Sequence, residues 1–588
     1  MSETLREVFD LAEGPLFRVH VHVRGPGHHV VQLVVHHLVA DGFSGALLKG
    51  DLAAAYRARR AGEAPCLAEA MQFSEYAALL AGHAREQADD EEAWLARFRG
   101  TAPLAFPWDR PRPRFPTHRG GVERLRIGAG AAAAIREAGR AQGCTLFATL
   151  LAGVLATLHR VAAQDDFVIG VPSAGRPFPG SGTLVGDCAD LLPIRSVLPP
   201  AADVASFLKA VRGWLLDATE HEVFAYTRLQ EKLGAPRGPG DPPLISLSFN
   251  LEPKGPATEQ QAAASAGPNG APAAELERFA KMEMVVDALE LGDELELVCL
   301  FNRDLLEHGT VRRLLGQVSR VLEQMASDAD APLSALELLD DAERRLVLEE
   351  WNRTEADFPA DRCLHQLFEA HAARAPRAAA VLFGGESLAY GDLDARAGRL
   401  AAHLRRHGVG PEVRVGICLE RGPELVAAIL GVLKAGGAYV PLDPAYPAER
   451  LGFMLASAGV SVLLTQESLR GVLPAADGVA MVSVDGDRAA IAAESAGVPE
   501  SGVEPRNLAY VIFTSGSTGT PKGIALAHRG VVNNLADLNR GWGVGADDRV
   551  LLLSSLSFDM SVYETLGILA AGGAVVVPTA AELRDPAA

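Results

Sequence analysis

Leu508-Ala-Tyr-Val-Ile-Phe-Thr514-Ser-Gly-Ser-Thr-Gly-Thr-Pro-Lys522-Gly523 begins with six apolar residues, four of them β-branched or aromatic, and continues into small hydroxyl residues and glycines around one lysine. The apolar run predicts a buried strand, and the Ser/Thr/Gly stretch a loop at its exit. Glycines let backbone N–H groups approach a polyanion closely, hydroxyls add neutral donors, and the lysine supplies charge, a combination suited to a triphosphate. The lysine carries weight because the chain has only seven, against 48 arginines. The spacing is not G-x-x-x-x-G-K-[ST], since counting from Gly516 places Pro521 where the second glycine belongs. Composition alone leaves a flexible Gly/Ser surface loop as an equal alternative.

Outward from this stretch, strand and helix signals alternate. A helix over 424–435 ends at Gly436-Gly437, a strand follows over 438–442, a helix begins near Gly530, and another strand is expected over 550–554. Glycine at helix ends together with this alternation predicts an α/β unit with a mostly parallel sheet. Upstream, charged residues after Asp340 pass into Trp351-Asn-Arg-Thr and Asp357-Phe-Pro-Ala, read as a linker over 339–362. The earlier part mixes types: a buried strand over Val30–His36 and a core helix over Thr145–Val161 predict an α+β unit. Within it, Pro107-Trp-Asp-Arg-Pro-Arg-Pro-Arg-Phe-Pro116 interrupts helical patterning and reads as a connector between two lobes near 107–120. The stretch 253–274, nearly devoid of large apolar residues, reads as a surface loop.

The strand over Val30–His36 runs into His36-His37-Leu-Val-Ala-Asp41-Gly42. A neutral imidazole near pH 7 can accept a proton from a nucleophile or donate a hydrogen bond to a developing oxyanion, and a nearby Asp can fix the local geometry. Two histidines at a strand end followed by an Asp-Gly turn are the plain alternative.

The chain has 588 residues, 48% hydrophobic and 22% charged, enough for three or four folding units that bury their own cores. Its formal charge is −19, and no basic stripe is present to neutralise phosphates, which argues against nucleic-acid binding. Six widely spaced cysteines, with no C-x-x-C pair and no histidine at ligand spacing, read as buried thiols in a reducing compartment and predict no metal site. The first residues lack a basic segment followed by an apolar one, and apolar runs such as Leu425–Leu433 are too short to cross a bilayer. A cytoplasmic protein without membrane contact is expected.

Both constellations resemble known families. His36-His37-x-x-x-Asp41-Gly42 is similar to the signature of condensation domains of nonribosomal peptide synthetases, two-lobed relatives of chloramphenicol acetyltransferase. Phe9-Asp-Leu-Ala-Glu-Gly-Pro-Leu-Phe-Arg18, Phe73-Ser-Glu-Tyr, Asp109-Arg-Pro-Arg-Pro, Ile169-Gly-Val-Pro-Ser-Ala-Gly-Arg176 and Leu184-Val-Gly-Asp-Cys-Ala-Asp-Leu-Leu-Pro-Ile-Arg195 follow that family in order. The resemblance implies a catalytic His37, accompanied by His36 and Gly42, with Asp41 holding the loop and Arg176 as its ion-pair partner. Only 35 residues precede His36, fewer than the family carries there, so the first lobe is expected to be incomplete. Leu508–Gly523 resembles the phosphate-loop motif of the adenylate-forming superfamily as found in adenylation domains. Leu388-Ala-Tyr-Gly-Asp-Leu393, Leu433-Lys-Ala-Gly-Gly-Ala-Tyr-Val-Pro-Leu-Asp-Pro444 and Phe558-Asp-Met-Ser561 match its other early motifs. This implies that Thr514, Ser515, Gly516, Ser517, Thr518, Gly519 and Lys522 hold the ATP phosphates, and that Asp559 pairs with a substrate α-ammonium. Met560 and Tyr563 would line the side-chain pocket, with ordinary core packing as their alternative.

The fold expected is therefore a condensation domain over 1–338, the linker 339–362, and the N-terminal part of an adenylation domain over 363–588. The implied chemistry is amide formation between carrier-bound acyl and aminoacyl groups, and activation of an amino acid to an aminoacyl adenylate with ATP and Mg2+. The phosphopantetheine arms would come from upstream and downstream carrier domains, in trans or from regions outside these residues. Later adenylation motifs do not occur here, so the chain by itself is expected to give no amino-acid-dependent ATP–pyrophosphate exchange. Two alternatives stand beside this reading: an inactive binding or scaffolding remnant, and a stand-alone acyl-CoA transferase.

Overall fold

The computed structural model describes residues 8–86, 88–115, 117–199, 201–224, 226–233, 241–252, 278–474, 478–497, 500–514, 521–579 and 582–583. The loop read over 253–274 lies outside them, as do Ser515, Gly516, Ser517, Thr518 and Gly519. The chain forms two compact units, Met1–Arg353 and Thr354–Ala588, and the division falls inside the stretch read as linker.

The first unit is built on a seven-stranded mixed sheet. Its order is Asp190–Val197, Asp166–Ser173, Leu247–Glu252, Met284–Leu291, Glu294–Asn302, Arg119–Ile127 and Arg278–Phe279. The helix Leu146–Ala162 is the centre of its core, every residue from Ala148 to His159 being buried. Thr145 caps the helix by accepting a hydrogen bond from the Ala148 amide, and apolar residues cover all its faces, as a helix enclosed on every side requires. Ahead of this sheet lie a hairpin of Phe17–Gly25 and His28–Val35 and the helices Gly42–Ala61 and Phe73–Glu86. Among its described residues no regular element occurs in the Pro/Arg-rich stretch from Pro107, whose prolines withhold donors and restrict the residues before them.

The second unit holds a six-stranded sheet ordered Ala480–Ser483, Val462–Thr465, Arg414–Ile417, Ala438–Pro441, Leu508–Thr514 and Lys522–Ala527. The first five strands are parallel; the last runs antiparallel to Leu508–Thr514. A four-stranded sheet lies in the same unit, in the order Glu386–Ala389, Ala379–Phe383, Ala574–Val576, Arg549–Leu551. The helix Pro423–Lys434 begins with proline in its first turn and stops before Gly436, whose φ of +93° a side chain would resist. At its end Lys434, fully buried, meets Glu369 at 2.7 Å and Asp394 at 2.8 Å, so a charged residue in an apolar core is compensated twice.

Three differences from the sequence reading are informative. Lys522 sits at the start of a strand, not within a loop, because Lys522–Ala527 pairs antiparallel with Leu508–Thr514. The strand expected over 550–554 is only Arg549–Leu551, the following residues being drawn into side-chain hydrogen bonds. Five cysteines are buried, but Cys66 is exposed, because it lies in the stretch 61–70, every residue of which faces solvent. Among the described residues no single helix is long and apolar enough to cross a membrane, and no group of three metal-ligating side chains occurs.

Candidate functional site

In the first unit the site is assembled by Asp41. It caps the helix Gly42–Ala61, accepting the Ser44 amide at 2.8 Å, and Gly42 is the first residue of that helix. The same carboxylate takes a bidentate pair from Arg176, Nη1 to Oδ2 at 2.7 Å and Nη2 to Oδ1 at 3.0 Å, and the Cys188 amide at 3.1 Å. Arg176 comes from the segment after the strand Asp166–Ser173, so the clamp joins chain segments 135 residues apart. Its guanidinium also donates to the carbonyls of Ala174, Leu184 and Gly186 and lies 4.5 Å from the Phe43 ring centre. Only 1% of the Asp41 side chain and 5% of Arg176 is exposed. Burial alone would raise the Asp41 pKa; the Arg176 bonds, then those from Ser44 and Cys188, outweigh it and hold the carboxyl well below the usual carboxylate range.

Glycine is required beside this clamp. Gly175 has φ +60°, and a Cβ there would lie 1.7 Å from the Cys188 carbonyl oxygen. The Tyr76 hydroxyl donates to the Gly175 carbonyl at 2.6 Å, fixing the turn that aims Arg176.

The two histidines divide their work. His36 closes the short turn His37–Val39, its Nδ1 accepting the Leu38 amide at 3.1 Å, and its ring meets Phe9 edge-on. That imidazole is spent on structure. His37 stands 59% exposed, with Nδ1 3.3 Å from the Asp187 carboxylate. Asp41 therefore does not orient the exposed histidine, and the carboxylate beside it is Asp187. Sequence reasoning gave Asp187 no role, although it lies in the Leu184–Arg195 motif; the signal available was a carboxylate immediately after a motif glycine.

In the second unit, Thr514 and Lys522 are directly paired across the antiparallel strands, so a hydroxyl and an ammonium stand side by side at that end of the strand pair. Both are exposed. That donor set fits a polyanion at the strand exit. The stretch containing Phe558-Asp559-Met560 is tied down from several sides. Arg421 donates to the carbonyls of Leu552, Leu553 and Ser554 at 2.6, 3.0 and 2.8 Å. Glu564 accepts both the amide and the hydroxyl of Ser554 at 2.9 Å, and Asp443 accepts the Ser555 hydroxyl at 2.6 Å. None of these three anchors was picked out from sequence. Asp559 and Met560 are exposed at the start of the helix Met560–Ala571. Burial first, then the charge of Asp559, pushes the Tyr510 hydroxyl up to about 12, which places Asp559 near the strand Leu508–Thr514. Tyr563 is 8% exposed, and its hydroxyl donates to Asn539 at 3.1 Å. One helical turn separates it from the exposed pair, and its side chain is buried.

With this geometry in place, the comparisons with known proteins identify the class. Residues 1–348 match the condensation domain family and residues 368–588 the AMP-binding enzyme family. The chain belongs to the condensation domain family, followed by an AMP-binding domain in the arrangement of nonribosomal peptide synthetase modules. It is 35% identical over 576 residues to a linear gramicidin synthase of Brevibacillus parabrevis, covering 97% of this chain and 7% of that protein. It is 33% identical over 608 residues to a dimodular nonribosomal peptide synthase of Bacillus subtilis (strain 168), covering all of this chain and 25% of that protein. The chain thus spans a small part of the curated relatives it matches. Among solved structures, the AMPPNP-bound nonribosomal peptide synthetase FmoA3 superposes with a TM-score of 0.77 at 28% identity, over 98% of this chain and 60% of that one.

Proposed function

We propose that the first unit joins a carrier-bound acyl thioester to the amine of a carrier-bound amino acid, and that the second takes part in activating an amino acid with ATP. The observation that carries the reading is a solvent-facing His37 mounted on a loop that the buried Asp41–Arg176 pair holds in place. With the Asp187 carboxylate accepting from Nδ1–H, the opposite nitrogen, Nε2, is left with its lone pair. Nε2 then takes the proton from the attacking amine as the carbon–nitrogen bond forms, and returns it to the departing thiolate sulfur. The thiols are the phosphopantetheine arms of upstream and downstream carrier domains.

In the second unit the Thr514 hydroxyl and the Lys522 ammonium would hold the phosphates of ATP, with the residues between them completing the grip. Bound MgATP supplies an adenylyl group to the substrate carboxylate, with pyrophosphate leaving. Asp559 pairs with the substrate ammonium, since a cation drawn out of water needs a carboxylate partner. Met560 offers a polarisable, adaptable wall to the substrate side chain. The dependence on ATP and on carrier-bound thioesters fits a cytoplasmic site of action.

The test uses carrier proteins loaded with donor and acceptor. His37→Ala should lower amide formation by roughly 10²–10⁴-fold with the unfolding midpoint unchanged. Equal rates for wild type and His37→Ala would overturn the reading, as would turnover of free acyl-CoA in place of the carrier-bound donor.

A further inference from the structure

In the second unit, the helices Tyr390–Arg406, Pro423–Lys434 and Arg488–Ala492 line an open cleft of about 210 Å3. Each helix contributes residues spaced three or four apart, the spacing that shares one helical face. The floor is apolar, made by Leu400, Ala427, Val484 and Ile491. The walls are charged: Arg396 and Arg399 come from the first helix, Glu424 from the second and Arg488 from the third. Arg396 pairs with Glu424 at 3.2 Å. The side chains of Arg399 and Arg488 make no hydrogen bond or ion pair among the described residues.

Three guanidiniums against one carboxylate give this cleft an excess of two positive charges, in a chain whose net charge is −19. Acidic residues are plentiful in the sequence, yet among the described residues none meets Arg399 or Arg488. An anion held between the two would be gripped by planar donors suited to carboxylate and phosphate. The apolar floor asks for a ligand with a body as well as a charged head. The volume lies below the roughly 300 Å3 at which drug-sized sites begin, so that body is short. The lining shares no residue with Thr514–Lys522 or with Phe558–Tyr563.

We infer that this cleft binds a small organic anion, a carboxylate or phosphate head on a short aliphatic or aromatic body, through Arg399 and Arg488. Arg396 contributes less because Glu424 already neutralises it, and Glu424 limits the charge the site accepts.

The test is calorimetric titration of the 588-residue protein with phenyl phosphate, with inorganic phosphate and benzyl alcohol supplying head and body separately. Phenyl phosphate should bind more tightly than either, with an affinity that falls as salt rises. The double variant Arg399→Ala/Arg488→Ala should weaken it at least tenfold at an unchanged unfolding midpoint. Glu424→Gln should tighten it severalfold, a gain that loss of folding cannot imitate. Phenylacetate binding as tightly as phenyl phosphate would assign a carboxylate ligand, and weaker binding a phosphate. The inference is overturned if neither compound binds, if inorganic phosphate alone binds as well, if the double variant keeps full affinity, or if Lys522→Ala abolishes binding instead.

Discussion

Arg176→Ala tests whether the buried clamp holds the first unit together. The substitution leaves the Asp41 carboxylate, 1% exposed, without its bidentate partner. Stranding one partner of a buried pair costs about 3–5 kcal/mol. Three donors remain to the carboxylate, from the Ser44 amide, the Ser44 hydroxyl and the Cys188 amide, so the lower end, about 3 kcal/mol, is expected. At an m-value of roughly 3 kcal/mol per M of urea, the midpoint falls by about 1 M. Four of the five tryptophans lie in the first unit, so fluorescence reports its transition. Asp41→Ala/Arg176→Ala should cost less than the two single variants together, since the second change removes a charge the first has stranded. The pair also sets a pH dependence. The folded Asp41 pKa is depressed, so its stabilisation is fully present above the unfolded value near 3.9 and is lost as pH falls through the folded value. Arg176→Ala should flatten that acid limb. A cost below about 1 kcal/mol, or additivity within about 0.5 kcal/mol, would refute the reasoning.

Asp187→Asn keeps the shape beside His37 but exchanges a carboxylate for an amide; condensation should slow by less than in His37→Ala and the unfolding midpoint should hold, and an unchanged rate would remove Asp187 from the mechanism. In the second unit, burial lowers His365 to about 3 and His528 to about 4, the neighbouring His528 and Lys434 charges adding to the effect on His365. The unfolded chain therefore binds more protons below pH 6.5, and stability should fall between pH 6.5 and 4 by about 5 kcal/mol, roughly half from each histidine. His365→Leu, which sacrifices no hydrogen bond to the buried Nδ1, should lessen that slope in pH-dependent denaturation, and an unaltered slope counts against the assignment. Lys434→Met leaves Glu369 and Asp394 without their shared cation and should destabilise the second unit by about 3 kcal/mol, read by urea unfolding. Gly175→Ala, with its Cβ driven into the Cys188 carbonyl, should disturb the Arg176 turn and reproduce much of the Arg176→Ala loss, whereas wild-type stability would show that the turn yields freely.

Patterns local to a few residues carried most of the fold. The apolar run Leu508–Phe513, the proline and glycine bounding Pro423–Lys434, and the largely apolar helix after Thr145 each state their own conformation, because propensity, capping and burial period act over one or two turns. The positions of His37, Asp41 and Arg176 were legible for a different reason: they stand in motifs of fixed spacing. What each side chain does was decided elsewhere. Both His36 and His37 are histidines at a strand end, and only packing shows that one caps a turn while the other faces solvent beside Asp187. Tyr563 was equally open to pocket or core until the phase of its helix turned it toward Asn539. Arg399 and Arg488 come to line one cleft only when separate helices are brought together. Elements, their order and the two families were readable along the chain, since those follow from near-neighbour chemistry. Which charges meet was settled by the folded arrangement, because contacts between distant segments depend on how strands register and helices pack, which no local pattern encodes.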